Sequence, residues 1–257
     1  MPRAWTREVP DSFVNATRGP HARALGDIDL PLARKQHEAY LDGLRWLGFE
    51  VHPLPPHPAS PDACFVEDPV VLAGNVVVVN RSAHPVRALE AKSAGRALRE
   101  AGFDLVHMEK PAFLDGGDVL RIGRTLFVGR SARTNGAGIE ALASAVPDFE
   151  VVEVAMPDGL LHLKCACSTP DRRRVLVTEG LFSENAFAGF EQVNTPRTEL
   201  YAANVVGRKG RVLVPTGFGR TADRLRQAGL EVRALNMSEF RKADGSLTCL
   251  SLRESEV

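Results

Sequence analysis

"LRWLGFEV" at residues 44–51, "LREAGFDL" at 98–105 and "LRQAGLEV" at 225–232 are three versions of one phrase. Each begins on apolar residues at helical spacing, passes through a Gly of the kind that ends helices, and leaves on a short alternating run that reads as a strand. "VPDFEVVEV" at 146–154 is a degenerate fourth copy. Ahead of the later copies stand paired apolar runs broken by tight turns: "VVLAGNVVVVN" at 70–80, "DVLRIGRTLFVG" at 118–129 and "VVGRKGRVLVP" at 205–215, the last with Gly207 and Gly210 at its bend. Such pairs read as hairpins. The repeating unit is strand, strand, helix, strand.

The stretches "LHLKCACS" at 161–168 and "RRRVLVTEG" at 172–180 supply strands for another unit, which makes four internal units. The N-terminal helix-and-strand phrase has no strand pair before it, and the strand around Cys249 has no helix after it. Joined, these ends complete a fifth unit and close a ring, with Cys249 on the shared strand. No Gly/Ser-rich linker or charge block interrupts the plan, so residues 1–257 are read as a single α/β domain.

Lys plus Arg equal Asp plus Glu at 32 each, so the formal net charge is zero. That balance argues against a nucleic-acid or anionic-membrane partner and favours a small molecule. "MPRAWTREVPDSF" at the N-terminus lacks the apolar core of a secretory signal, and no run is long enough for a membrane span, so the expected location is cytoplasmic. Cys64, Cys165, Cys167 and Cys249 then read as reduced thiols.

Acid, base and nucleophile types concentrate in "PDACFVEDP" from 61, in "FLDGGD" from 113 with "LLHLKC" from 160, and in "SEFRKADGSLTCLSLR" from 238. A thiol attacks as thiolate, which a neighbouring imidazolium or a cationic substrate favours, so Cys249 and His162 form a candidate pair. A His that acts as acid and then base is usually oriented by a carboxylate, here Asp115 or Asp118. Each residue also has a bland reading: Cys249 as a small core residue, His162 as a satisfied interior histidine, "DGGD" as a turn. Zinc is not expected at "HLKCAC", because alternation along a strand turns Cys165 and Cys167 away from His162. "PTGFGRTADRL" from 215 lacks the Walker Lys-Ser/Thr pair and the dinucleotide fingerprint, and reads as a turn entering a helix.

Taken together, "PDACFVEDPVV", "LDGGDVL", "FVGRSARTN", "GLLHLKC", "YAAN" and "SEFRKADGSLTCLSL" resemble the dimethylarginine dimethylaminohydrolase family of the guanidino-group-modifying (pentein) superfamily, over about residues 61 to 252. The resemblance implies a five-bladed α/β propeller with no metal or organic cofactor. It implies Cys249 as nucleophile, His162 as general acid/base and Asp115 as its acidic partner. It further implies Glu67 and Asp68 on the substrate guanidinium, Asp62 near the amino-acid end, and Arg87 and Arg133 on the α-carboxylate. Backbone contacts are implied near Phe13 and Ala243. The partner would be a methylated arginine cleaved to L-citrulline and an alkylamine, and a homodimer is the protein partner this reading admits. An arginine deiminase-like or amidinotransferase-like enzyme and a non-catalytic binding propeller are the alternatives. Singly, Asp62, Glu67 and Arg87 would read as solvated surface charges.

Overall fold

The structure, a computed structural model, describes residues 1–82 and 87–254. In chain order it runs β1 (Arg3–Thr6), α1 (Leu30–Trp46), β2 (Glu50–Pro53); β3 (Val70–Ala73), β4 (Val76–Val79), α2 (Ala88–Glu100), β5 (Asp104–His107); β6 (Val119–Ile122), β7 (Thr125–Gly129), α3 (Gly136–Ala145), β8 (Glu150–Val154). Then come β9 (Cys167–Ser168), β10 (Arg174–Thr178), β11 (Glu191–Thr195); β12 (Val206–Arg208), β13 (Arg211–Pro215), α4 (Gly219–Gln227), β14 (Glu231–Leu235); and β15 (Leu252–Arg253). These form five separate three-stranded sheets. In each, the middle strand pairs antiparallel with the first and parallel with the third. The fifth sheet is the ring closure: Trp5 of β1 pairs with Leu252 of β15, and Ala4 pairs with Val51 of β2.

Local chemistry explains the elements. Asp29 caps α1 by accepting from the Leu32 amide at 3.0 Å, and Asn135 caps α3 by accepting from Gly138 at 2.8 Å. Gly48, Gly102 and Gly229, the shared glycines of the repeated phrase, sit just past their helices at positive φ of 83°, 98° and 82°. Only Gly adopts that conformation without cost, so the chain turns there into the third strand. The β12–β13 bend falls on Lys209 and Gly210, both at positive φ, while Gly207 lies within β12. A Cβ on Gly207 would come 1.9 Å from the Pro170 carbonyl oxygen. The unit around β9–β11 also departs from the repeat. Turns rather than a helix join β10 to β11, and Phe187 and Phe190 from that crossover pack edge-on against Phe127 at 5.2 and 5.6 Å.

The first two strands of the sheets are buried, whereas the third strands β2, β5 and β8 are largely exposed. Residues of β3, β6, β9, β12 and β15, the first strand of every sheet, together line one cavity of about 440 Å³. Five inner strands around a common channel are the arrangement of a propeller. Between sheets the seams are apolar. Gly43 of α1, for example, lets that helix reach Leu213 and Leu235 of the neighbouring sheet, where a Cβ would stand 2.9 Å from Leu213. Among the described residues no helix is long and apolar enough to cross a membrane.

Candidate active site

The turn before each inner strand delivers its side chains toward the ring's centre. Asp68 precedes β3, Asp115 and Asp118 precede β6, His162 and Lys164 precede β9, Asn204 precedes β12 and Cys249 precedes β15. Cys249 is therefore in the turn Thr248–Leu250, not on the closing strand as the sequence reading had it. His162 likewise caps a short turn, Leu163–Cys165, so strand alternation does not decide the orientation of the neighbouring thiols. Cys167 is a core residue whose thiol donates to the Leu163 carbonyl at 3.4 Å. Among the described residues no group of three or more His, Cys, Asp or Glu is arranged to hold a metal ion.

A second cavity of about 330 Å³, which shares no lining residue with the channel, is lined by Cys249, His162, Asp68, Asp62, Arg87, Arg133 and Ala243 among others. Seven of the ten residues expected at a site thus converge on one pocket. Asp115 stands immediately behind them, with one carboxylate oxygen 3.4 Å from His162 Nε2 and 3.2 Å from Arg133 Nη1. Asp118 is not the partner of His162. It accepts from Ser131 Oγ at 2.6 Å, Thr134 Oγ1 at 2.7 Å and the Leu163 amide at 2.9 Å, and so pins the turn that carries His162. The glycines of "DGGD" are there for close packing. A Cβ on Gly117 would meet His162 Nδ1 at 2.5 Å and Asp68 Oδ1 at 2.9 Å, and one on Gly116 would meet the Glu67 carbonyl at 2.1 Å.

Glu67 and Phe13 are placed otherwise, and Arg87 is engaged otherwise. Glu67 lines the channel, where its carboxylate bonds Lys164 Nζ at 2.5 Å and accepts from Thr248 Oγ1 at 2.7 Å; its amide donates to the Cys249 carbonyl at 3.2 Å.

 Phe13 is a core ring packed against Phe65 and Phe240 at 5.9 and 5.5 Å, and its carbonyl accepts from the Ala16 amide. The segment that lines the cavity in its stead is Thr17–Gly19, tied down where Asp62 accepts from the Thr17 amide at 3.1 Å and Asp244 from Gly19 at 2.5 Å. Arg87 does line the cavity, but its guanidinium is engaged by Asp68 at 2.6 Å, Glu90 at 2.9 Å and the Phe65 carbonyl at 3.0 Å. Glu90, Lys164, Asn204 and the Thr17–Gly19 segment were not singled out from sequence. The signal that would have found Lys164 and Asn204 is the repeat itself, since both fall just before an inner strand.

The charges set the chemistry. Burial alone would raise the Asp68 carboxyl, but Arg87, His162 and Lys164 outweigh it and hold the group ionised well below its usual range. Burial likewise works against the His162 imidazolium, yet Asp68, Asp115 and Asp118 outweigh it and raise its pKa above the ordinary value. The Cys249 thiol is pushed up, first by burial and then by the negative charge of Asp68 and Glu67. Both effects favour the thiol over the thiolate, and among the described residues no hydrogen bond joins it to His162. Among the described residues two buried carboxylate oxygens, Asp68 Oδ1 and Asp115 Oδ1, have no hydrogen-bond partner. Buried acceptors of this kind cost free energy until a donor arrives, and a planar cation with several N–H groups supplies such donors.

Known proteins resemble the chain over most of its length. A family described as N,N dimethylarginine dimethylhydrolase, eukaryotic, matches residues 14–169. The N(G),N(G)-dimethylarginine dimethylaminohydrolase of Pseudomonas aeruginosa is 30% identical over 94% of this chain and 95% of its own. The enzyme of the same name from Streptomyces coelicolor is 35% identical over 90% of this chain and 89% of its own. A solved structure of the Pseudomonas protein, a cysteine-to-serine variant complexed with citrulline, superposes with a TM-score of 0.92 at 28% identity, covering 99% of this chain and 100% of that one. The chain belongs to the dimethylarginine dimethylaminohydrolase family.

Proposed function

We infer that the protein hydrolyses asymmetrically N-methylated arginines, dimethylarginine and monomethylarginine, to L-citrulline with release of dimethylamine or methylamine. The observation that carries this reading is the pair of unpartnered buried oxygens, Asp68 Oδ1 and Asp115 Oδ1, beside a cysteine and a histidine in one cavity. They suit the N–H groups of a guanidinium held in plane. The carbon of that group is resonance-stabilised and resists water at neutral pH, so a covalent route lowers the barrier.

Arrival of the cation offsets the carboxylate field that keeps Cys249 protonated. The thiol loses its proton to solvent and the thiolate adds to the guanidinium carbon. His162, kept charged by Asp68 and Asp115, gives a proton to the departing alkylamine as the C–N bond breaks. The remaining thiouronium is attacked by water, whose proton returns to His162. Collapse of the adduct breaks the C–S bond and, with loss of the hydroxyl proton to solvent, frees citrulline and thiolate. No step calls for a metal or organic cofactor. Asp62 and the Ala243 backbone receive the substrate's amino-acid end, and Arg133, only partly buried, receives its α-carboxylate. Arg87 acts chiefly by fixing Asp68. The 257 residues work as a single propeller domain, because the site draws on turns from four of its five sheets.

Mass spectrometry of the His162→Gly variant incubated with asymmetric dimethylarginine tests the reading. A covalent adduct on the peptide containing Cys249, with very slow citrulline release, is expected; undiminished steady-state turnover by that variant would contradict it.

A further inference from the structure

The channel lined by the five inner strands takes no part in the chemistry above, and its wall is unusually rich in arginine. Three carboxylates along it have partners of their own. Glu67 is held by Lys164 and Thr248, Asp171 by Arg174 at 2.9 Å and by the amides of Arg173 and Arg174, and Glu254 by Arg3 at 2.7 Å. Arg121, Arg172 and Arg173 line the same cavity, and among the described residues no carboxylate pairs with any of them. Arg121 instead donates to the carbonyls of Gly123 and Leu72 at 3.2 and 3.4 Å and lies over the Phe149 ring at 4.9 Å. Burial, and then repulsion from Arg172 and Arg124, lower its pKa to about 10. In a chain of zero formal net charge, such crowding of like charge around a cavity is a local arrangement rather than an overall bias.

We propose that this channel, whose lining does not include Cys249, binds a small anion carrying more than one negative charge, through Arg121, Arg172 and Arg173. Guanidinium forks match phosphoryl and carboxylate groups in two-point fashion, and a cavity of about 440 Å³ holds more than a lone phosphate. Glu67, Lys164 and Thr248 line it as well and none of them lines the substrate cavity, so the bound anion lies outside that cavity.

Isothermal titration of the full chain with inorganic pyrophosphate and, separately, citrate tests this at low salt. At least one of the two should bind with a dissociation constant below about 1 mM, about tenfold more weakly in the Arg172→Gln/Arg173→Gln double variant, and with unchanged affinity in Arg133→Ala, whose arginine lies in the other cavity. Both arginines are exposed, so the double variant should keep the wild-type circular dichroism. Tighter binding of pyrophosphate would make the ligand a phosphoryl compound, and tighter binding of citrate a carboxylate. No binding of either anion up to about 10 mM overturns the proposal, as does unchanged affinity in the double variant or loss of binding in Arg133→Ala.

Discussion

At the residue scale, Cys249 and His162 sit in the same negative field and respond to it in opposite senses. Burial and that field disfavour the Cys249 thiolate, while the field favours the His162 imidazolium. Alkylation of the Cys249 peptide by iodoacetamide in the empty protein should therefore keep rising with pH beyond the range of a free cysteine, about 8.5. Asp68→Asn removes one of the opposing charges and should speed alkylation at about pH 8 while turnover falls by about a hundredfold or more. A rate that levels off near neutrality would argue against a field-suppressed thiol. For His162 the sign runs the other way. A raised folded-state pKa stabilises the protein fully below the unfolded value of 6.5, and that stabilisation fades as pH rises through the higher folded value. The gap in urea midpoint between wild type and His162→Asn should shrink from pH 6 to pH 9, both values marking roughly either side of that window; a gap that grows with pH would reverse the assignment.

At the element scale, what positions the site is the turn before each inner strand. Gly117→Ala is the sharpest probe of it, since the new Cβ would fall 2.5 Å from His162 Nδ1 with no positive φ involved. The variant should fold, with near-native circular dichroism, yet lose citrulline formation by about a hundredfold through displacement of the imidazole. Wild-type turnover would mean that the His162 ring has room to shift without consequence. The repeated helix-to-strand phrase was legible in the sequence because the C-terminal glycines and the apolar spacing are local signals. Cys249 and His162 were recognised by type and context but assigned to strands, because short turns flanked by apolar residues have the same alternation as strands. The missing helix between β10 and β11 was hidden for a related reason. Its place is filled by aromatic packing from a turn-rich segment, which has no period to read. Glu67 and Asp68 are neighbours in sequence and were given one role, yet in the turn ahead of β3 their side chains part, one to Lys164 and the other to Arg87.

At the scale of the whole molecule, the ring depends on a short splice between its ends. Leu252 is buried against the sheet of β3 and β4, Glu254 forms an ion pair with Arg3 at 2.7 Å, and Arg253 reaches Glu67 at 3.5 Å. A chain ending at Ser251 loses all three, and urea unfolding should show a loss on the order of 3 kcal/mol. Unaltered stability would mean that β15 is not what closes the ring. Closure also matters for chemistry, because it brings Cys249, from the last turn, against Asp68 and His162 from the second and fourth sheets in chain order. The central claim is that this meeting point carries out dimethylarginine hydrolysis, and a product assay on purified protein addresses it most directly. With asymmetric dimethylarginine, monomethylarginine and arginine in competition, citrulline should appear in equal amount with dimethylamine or methylamine, at higher kcat/KM for the methylated substrates, and Cys249→Ser should form none. Arginine favoured with ammonia as the main co-product, or citrulline formed at the wild-type rate by Cys249→Ser, would contradict the account.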